Sequence, residues 1–437
     1  MQNLTKLFMK QLRNFLSQAS YTTYWLIVYI TIILSIWLIP PYLNHSWGLF
    51  LQLPSNRILI TLLFSAMMWF LYEQFSNKLR FHKQANTQHP ELVQQLRSII
   101  TQLKSTKTIP ASQWVKSSRK INLTKLPWIL VLGTAKSGKT EILKYTGIKF
   151  LFKRKSSNNI RFITCYAAKE AAIFEAAGRF EQIEEPVHTH SAWQTFLQYC
   201  QQHRRSFFNG IVLNLSIQQL TNISASQLNQ LLAQHKKQLQ ILNQLSRQSI
   251  PLTISINHIN NINAFNAYFG NLDHNARNQA WGLGLNQYEF NDINQLCERF
   301  DQSYDLFTQS LHNEIIGKLH QQLDIEQRAA IQEFPTQIEA LKRPLARILQ
   351  YLSECFVTAK GVRLQGTYFT ATGQTSSGVD RLLQAINKTF SLTSPNNTST
   401  TYMNQYFIRG LYARVIIPSV WQQTQQSYLQ YRYGKEL

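Results

Sequence analysis

The stretch that decides the fold is WILVLGTAKSGKT, residues 128–140. Its first five residues form a continuous apolar run, too short for a stable helix and typical of a strand buried on both faces. Gly133 to Thr140 then fit G-x-x-x-x-G-K-[ST] and lead into the amphipathic segment EILKYTGIKF, residues 141–150. A strand, a glycine-rich turn and a helix in this order predict a phosphate-binding loop.

The residue types of this loop suit phosphate chemistry. Gly133 and Gly138 let the backbone N–H groups face phosphate oxygens, and the N-terminus of the next helix adds its positive dipole end. Lys139 is predicted to reach the β/γ-phosphates, and the Thr140 hydroxyl to ligate Mg²⁺. The predicted nucleotide-binding residues are Gly133, Thr134, Ala135, Lys136, Ser137, Gly138, Lys139 and Thr140. The alternative is a turn that only joins strand to helix, which would leave a buried Lys139 without a partner.

Hydrolysis would also require an acid near the metal and a group that orients water. Glu175 ends an apolar run and precedes the pair Gly178-Arg179, a candidate γ-phosphate sensor. We predict Glu175 as the catalytic acid and as a metal contact through water. A second run ends in Asn257-His258-Ile259-Asn260, without the carboxylate that recognises guanine. The predicted cofactors are therefore Mg²⁺ and a purine nucleotide, ATP or GTP, with little guanine preference.

Apolar runs at residues 160–164, 171–174, 211–215 and 252–256 alternate with helical stretches, which predicts an α/β domain with a parallel sheet over residues 121–273. Helical periodicity without strand patterns predicts a helical subdomain over residues 274–358. Residues 359–390 predict a closing strand and helix of the α/β domain. Residues 391–437 predict a linker and an aromatic-rich tail before a possible third membrane span. That tail either stacks nucleobases or lies near the membrane or a partner, and the second reading is favoured.

The N-terminal region reads as a membrane anchor. Residues 21–40 carry no charge and, at about 1.5 Å per residue, match the roughly 30 Å of bilayer hydrocarbon. The run at residues 58–72 is shorter and predicts either a second span or a buried core helix. We predict two transmembrane helices in a hairpin at residues 21–75, after a cytoplasmic segment at 1–20 and before a linker helix region at 76–120. Basic residues flank the hairpin, which places both ends in the cytoplasm.

The amino-acid composition limits the classes of molecule that the chain is expected to bind. Among 437 residues, Lys and Arg total 44 against 22 Asp and Glu, a net charge of +22 that favours lipid headgroups, nucleic acid or nucleotide phosphate. Cys165, Cys200, Cys297 and Cys355 lack zinc-ligand spacing, which predicts reduced thiols. His188 and His190 either ligate a metal or, as we favour, are solvated side chains of a polar loop. No nucleic-acid reader module is recognisable, so no nucleic-acid partner is expected.

Several segments together resemble one family. Glu175 to Phe180 is similar to D-T-A-G-R-[YF], and NGIVLNLS, residues 209–216, follows in the same order. FPTQIEALKRPLARILQYL, residues 334–352, and RLQGTYFTATGQ, residues 363–374, are the most specific matches. The chain resembles the IcmF/TssM family, inner-membrane components of bacterial type IVB (Dot/Icm-like) or type VI secretion systems. It departs from the family at Glu175, Ala176, His258 and Asn260, which favours IcmF over TssM.

The resemblance implies a place in the bacterial inner membrane, with the N-terminus and main domain cytoplasmic. It also implies a DotU/TssL-like partner, other secretion-complex subunits and contact with the lipid bilayer. The expected function is a nucleotide-binding scaffold that assembles or stabilises the inner-membrane complex. The alternative is a membrane-tethered NTPase whose hydrolysis cycle drives or switches secretion. The altered acid and base-recognition segments predict slow or absent hydrolysis.

Overall fold

The structure is a computed structural model that forms two compact units, Met1–Pro90 and Glu91–Leu437. The residues described are 29, 33, 34, 37, 53–56, 58–70, 89–105, 126–134, 136–154, 162–176, 180, 186–203, 208–221, 224–246, 248–262, 264–285, 292–356, 361–372 and 405–424.

In the first unit, residues 58–70 are helical, and the Ser65 hydroxyl lies 2.8 Å from the Tyr29 hydroxyl. Nowhere in the described part of the chain is a helix both long and apolar enough to cross a membrane. The prediction of two N-terminal transmembrane helices is therefore wrong for this structure. The physical reason at residues 58–70 is length, because this helical stretch extends about 20 Å against roughly 30 Å of hydrocarbon. Most of the run at residues 21–40 lies outside the described residues.

The second unit is built on an eight-stranded sheet. Its strands are β1 Trp128–Gly133, β2 Phe152–Arg154, β3 Ile163–Ala167, β4 Ala172–Ala176, β5 Gly210–Ser216, β6 Ile250–Asn257, β7 Gly282–Gly284 and β8 Val362–Phe369. The spatial order is β2-β3-β4-β1-β5-β6-β8-β7.

The sheet is mixed, which corrects the prediction of a parallel sheet. Strands β4, β1, β5, β6 and β8 run parallel, as predicted for the centre. Antiparallel pairs flank them, with β2-β3-β4 on one side and β8-β7 on the other. A tight turn joins β3 to β4, where the Ala168 N–H donates to the Ala171 carbonyl at 3.0 Å. So short a connection permits only an antiparallel pair, because a parallel pair needs a crossover of a dozen or more residues.

The helices of this unit are α1 Pro90–Ser105, α2 Lys139–Tyr145, α3 Pro186–His203, α4 Gln218–Thr221, α5 Ala225–Leu245, α6 Phe265–Phe269, α7 His274–Arg277, α8 Ile293–His320, α9 Ile325–Glu339, α10 Lys342–Leu352 and α11, residues 408–424. The helical pattern of residues 225–246 predicts α5, which is confirmed, and a capping box between Ser224 and Gln227 fixes its start. Helix α2 is shorter than predicted because Gly147 follows it at φ +74°. The chain then enters β2, which the helical pattern had hidden.

Helices α8, α9 and α10, here called the helical block, lie where the sequence predicts a helical subdomain, residues 274–358, although the short strand β7 within that range was missed. The block leaves the sheet after β7 and returns at β8, the strand that pairs with β7. Aromatic side chains attach it to the sheet. The cluster comprises Phe265, Tyr268, Phe269, Trp281, Phe334 and Phe407. Phe334 is fully buried, with its ring centroid 4.6 Å from that of Tyr268 and 5.3 Å from that of Phe269.

The aromatic-rich tail does not behave as expected over residues 405–424. Instead of facing a membrane or partner, Tyr406, Leu411 and Tyr412 are buried. Ile408, Leu411 and Tyr412 belong to the hydrophobic core cluster that includes strands β1 and β4 and helix α2. Helix α11 contains a π-helical stretch, Leu411–Ile416. The predicted helix VDRLLQAINKTF, residues 379–390, and residues 425–437 lie outside the described residues.

We expect Phe334→Ala to lower the free energy of unfolding by about 3–5 kcal/mol, because it removes a buried ring and leaves a cavity between α9 and the sheet. Leu323→Ala is the control, since Leu323 is 93% exposed between α8 and α9. Urea denaturation of the full chain measures both. Equal unfolding midpoints for the two variants would show that the aromatic cluster does not anchor the helical block.

Candidate functional site

The candidate site is the segment Gly133–Thr140, here called the glycine loop, which joins the end of β1 to α2. Strand β1 pairs with β4 on one side and with β5 on the other. Strands β2 to β4 lie on one side of β1 and strands β5 to β8 on the other, so the strand order reverses at β1. In open α/β sheets, ligands bind at such a switch point, outside the carboxyl ends of the parallel strands. The glycine loop therefore lies where the fold favours a ligand. Ala135 lies outside the described residues.

Both predicted glycines are required by the space around them. Gly138 has φ +77°, and a Cβ atom there would lie 2.2 Å from Nδ2 of Asn257. A Cβ atom on Gly133 would lie 2.3 Å from the backbone oxygen of Asn214. At Gly133 a side chain would collide with a backbone atom, whereas at Gly138 it would displace the Asn257 amide and would have to adopt a left-handed φ. Lys136 is exposed and has φ +61°, an uncommon value for a residue with a side chain.

Lys139 is buried at the start of α2, with 7% of its surface exposed. Its Nζ atom donates to the backbone oxygens of Gly133 and Thr134, each at 2.9 Å. The glycine loop thus fixes the position of the ammonium group. These carbonyls partly compensate the cost of burying the ammonium group, so the turn itself supplies the partners that Lys139 was expected to lack without a phosphate.

The structure brings together the two residues predicted to contact a metal, Thr140 and Glu175. The Thr140 hydroxyl donates to Oε1 of Glu175, and the Tyr166 hydroxyl donates to Oε2 at 2.8 Å. Glu175 is 1% exposed and lies on β4 opposite Val131 of β1. A hydroxyl and a carboxylate in contact are oxygen ligands of the kind that Mg²⁺ prefers. Tyr166, on β3, was not predicted, because nothing in its local sequence marks it.

Asn257 was interpreted only as part of a base-recognition segment, but its side chain holds the glycine loop. Its Nδ2 donates to the backbone oxygen of Ser137 at 3.1 Å and to the Thr372 hydroxyl at 2.7 Å. Its Oδ1 accepts from the Thr370 hydroxyl at 3.2 Å. Asn257 therefore links the loop to the end of β6 and to the residues after β8. The sequence feature that could have identified Asn257 as a site residue is its position at the carboxyl end of an apolar strand.

The residues after Asn257 are polar and largely buried. His258 has φ +62°, and its Nδ1 lies 3.1 Å from the Ser216 hydroxyl. Burial lowers the pKa of His258, which favours its neutral form. Asn260 is 5% exposed, and its Oδ1 has no hydrogen-bond partner among the described residues. This segment offers neutral amide and imidazole groups where a guanine-specific site would need a carboxylate.

Helix α5 contacts the chain just beyond Glu175. Gln234 and Gln238 both donate to the backbone oxygen of Phe180, and Nδ1 of His235 lies 2.9 Å from Oε1 of Gln238. Burial lowers the pKa of His235 to about 4, so the ring is neutral at physiological pH. These residues were missed because they read as an ordinary amphipathic helix. Gln234 and Gln238 hold Phe180, the next described residue after Ala176.

The other predicted sites have mixed outcomes. His188 and His190 belong to α3 rather than to a polar loop, and their side chains lie outside what the structure describes. Gly178 and Arg179 also fall outside it. No cluster of three or more His, Cys, Asp or Glu suited to a metal occurs within the described ranges. The four cysteines are free.

We expect Gly138→Ala to lower the free energy of unfolding by about 1–3 kcal/mol, because of its positive φ and the contact with Asn257. The matched control is Gly317→Ala, on α8, where an added Cβ atom meets nothing within 4 Å. That substitution should raise stability by about 0.5–1 kcal/mol, since alanine favours a helix interior. Urea denaturation compares the two, and unchanged stability of Gly138→Ala would contradict the geometry of the loop.

Comparison with known protein families finds a match that covers more than half of the chain. Residues 187–432 match the IcmF-related N-terminal domain, a region that begins after the glycine loop and Glu175. The type VI secretion system component TssM1 of Pseudomonas aeruginosa is 25% identical over 308 residues, covering 68% of this chain and 28% of TssM1. The chain thus spans less than a third of the length of that relative.

Among solved structures, a crystal structure of an SsGBP mutation variant is 15% identical and covers 31% of this chain and 39% of that chain. Its TM-score of 0.18 carries no argument about the fold. The family match, by contrast, covers more than half of the 437 residues and includes residues 209–216, 334–352 and 363–374, three of the four segments that indicated the resemblance. The chain belongs to the IcmF-related N-terminal domain family.

Proposed function

We propose that this chain is a nucleotide-binding scaffold of a bacterial secretion-system inner-membrane complex. The observation that carries the proposal is the contact between Thr140 and Glu175 at the end of a loop that also fixes a buried Lys139. A turn that only joined β1 to α2 would need none of these three polar side chains. Their convergence at the switch point of the sheet supports phosphate and metal binding.

The residues present fit a nucleotide with Mg²⁺. Lys139 would hold the β/γ-phosphates, and the absence of a Cβ atom at Gly138 would allow backbone N–H groups to approach them. Thr140 would ligate the metal directly, and Glu175 would contact it through a water molecule. When bound, Mg²⁺ neutralises the charge that the phosphates bring into the site. The Thr140 hydroxyl would ligate the metal through an oxygen lone pair while its hydrogen still donates to Oε1 of Glu175.

We infer that the nucleotide is a purine, ATP or GTP, with little preference for guanine. A guanine-specific site uses a carboxylate that accepts from two donors of the base, whereas Asn260 supplies one acceptor and two donors. The buried Oδ1 of Asn260 still favours a base with an exocyclic amine or ring N–H donor. The amide therefore supports nucleobase binding without guanine specificity.

The geometry favours assembly over turnover. Both oxygens of Glu175 accept hydrogen bonds, from Thr140 and Tyr166, which limits the freedom of this carboxylate to orient an attacking water. Ala176 offers no hydroxyl at the position where the family carries threonine. The alternative, a membrane-tethered NTPase that drives or switches secretion, would need a partner to complete the site.

Partners and location follow from the family and from similarity to TssM1. We propose a DotU/TssL-like inner-membrane partner, further secretion-complex subunits and a site of action at the bacterial inner membrane. The altered residues Glu175, His258 and Asn260 favour an IcmF of a type IVB system. Similarity to TssM1, a type VI component, supports the alternative that this chain belongs to a type VI system.

Lys139→Ala should weaken Mg²⁺-dependent nucleotide binding by about 10- to 100-fold, because it removes charge-assisted hydrogen bonds to phosphate. Lys144→Ala is the matched control, since it removes the same charge from the exposed side of α2. Titration of the full chain with labelled ATP and GTP, with Mg²⁺ and with EDTA, measures the effect. The absence of saturable binding in wild type, or a strong preference for GTP, would contradict the proposal.

Assembly and turnover are separated by comparing the same variants in cells. We expect Lys139→Ala, but not Lys144→Ala, to reduce recovery of the DotU/TssL-like partner from detergent-solubilised membranes. Wild type should hydrolyse nucleotide slowly or not at all, because its acid is long and doubly hydrogen-bonded. Intact assembly of Lys139→Ala, combined with rapid partner-stimulated hydrolysis by wild type, would favour the NTPase alternative instead.

A further inference from the structure

His258 follows β6 directly and packs its ring against the glycine loop. A Cβ atom on Gly138 would lie 2.9 Å from Nε2 of His258 and 3.1 Å from its Cε1 atom. A side chain at position 138 would therefore displace the ring. His258 also has φ +62°, and non-glycine residues held at such values cluster at active sites and ligand-binding segments. Both observations place an imidazole ring beside the segment proposed to bind phosphate.

The two ring nitrogens have different surroundings. Nδ1 lies 3.1 Å from the Ser216 hydroxyl on β5. A serine hydroxyl can donate to a neutral ring nitrogen and can accept from a protonated one, so this contact suits both states of the ring. Nε2, which faces Gly138, makes no hydrogen bond within the described part of the chain. Adding a proton to the ring therefore breaks no contact of the folded protein.

The charges around the ring determine when that proton is bound. Burial lowers the pKa of His258 below its usual value, and the Glu141 carboxylate on the first turn of α2 opposes this effect. The glycine loop brings the positive charges of Lys136 and Lys139, whereas β5, β6 and residues 370–372 bring neutral side chains. In the empty site the ring is therefore neutral near pH 7.

A bound nucleotide would reverse this balance. Its phosphates would bring negative charge to the loop against which His258 packs, and nearby negative charge favours the protonated ring. The pKa of His258 would then be higher in the bound state than in the free state. By linkage, a group with this difference takes up a proton on binding, so affinity rises as the pH falls through the interval between the two pKa values.

We propose that His258 is a nucleotide-binding residue whose ring takes up a proton when phosphates enter the glycine loop. This inference rests on the proposed nucleotide site and names a residue outside the loop that contributes to its affinity. Lys139 supplies a permanent charge to the phosphates, whereas His258 adds a second charge only when the site is occupied. The chain therefore binds nucleotide more tightly in mildly acidic solution than in alkaline solution.

The test compares His258→Gln and His258→Lys with wild type in the full chain. Glutamine keeps a side-chain N–H donor but does not titrate, and lysine stays charged throughout the range used. His312→Gln is the matched control, because it removes an exposed histidine from α8. Labelled ATP and GTP are titrated with Mg²⁺ at about pH 8 and about pH 6, and thermal unfolding shows whether each variant is folded at both values.

We expect wild type and His312→Gln to bind about fivefold more tightly at the lower pH, since each pKa unit is worth up to about tenfold in affinity. His258→Gln should change by less than about twofold, and at the lower pH it should bind about fivefold more weakly than wild type. His258→Lys should bind equally well at the two pH values, because its charge does not depend on the site being occupied.

Proton uptake is measured directly by calorimetric titration near pH 6.5, at the usual pKa of histidine, in two buffers that differ in ionisation enthalpy. The heat of nucleotide binding to wild type should differ between the buffers by more than the heat of binding to His258→Gln does. A ring that served only to pack against Gly138 would not produce this difference.

The outcomes separate this inference from the function on which it rests. If wild type binds nucleotide equally well at both pH values, or if His258→Gln keeps the pH dependence, the role of His258 is overturned and the nucleotide site stands. If His258→Gln does not fold, pH-dependent binding by His258→Lys overturns the role instead. If wild type shows no saturable binding of either nucleotide at either pH, the nucleotide site is overturned, and this inference with it.

Discussion

The constraint on which the site depends is the burial of one carboxylate. Glu175 lies inside the sheet with almost no exposed surface, so its oxygens must find donors within the protein. It takes one from Thr140 on α2 and one from Tyr166 on β3. These two bonds connect α2 to β4 and β4 to β3, both of which lie on the side of β1 opposite β5. Burying a carboxylate is costly, and hydrogen bonds to both of its oxygens offset this cost.

A second set of bonds holds the glycine loop from the opposite direction. Asn257 reaches from the end of β6 to the backbone of Ser137, and it also contacts Thr370 and Thr372 beyond β8. The loop is therefore fixed between strands on both sides of β1. Gly138 makes this possible, because any side chain there would occupy the position of the Asn257 amide. The loop and its tether thus constrain each other, and a change in either alters the position of Lys139.

The helical block and α11 extend this arrangement away from the glycine loop. The block leaves and re-enters the sheet at the neighbouring strands β7 and β8, and its aromatic rings pack against Trp281 and Phe407. Helix α11 then covers the face of the sheet that holds Glu175. The family to which the chain belongs is matched over residues 187–432, which include both the helical block and α11. The region shared with the family therefore includes Asn257, which holds the glycine loop, as well as the elements that pack around the site.

The sequence by itself determined the parts that depend on neighbours along the chain. The five-residue apolar run, the loop pattern, the capped helix α5 and the helical block all follow from local periodicity and residue type. The candidate residues Lys139, Thr140 and Glu175 were identified in the same way, and the structure places them together. The apolar runs near the N-terminus, however, predicted membrane spans that the described helices do not form.

Only the tertiary structure decided which distant residues meet. Tyr166 reaches Glu175 because β3 turns back beside β4, and the loop pattern carries no information about strand order. Asn257 reaches Ser137 across 120 positions because β5 and β6 bring their carboxyl ends to the same edge of the sheet. The burial of Tyr412 depends on where α11 returns after a long intervening segment. Such contacts are set by the packing of whole elements, whereas sequence patterns report only the preferences of each element.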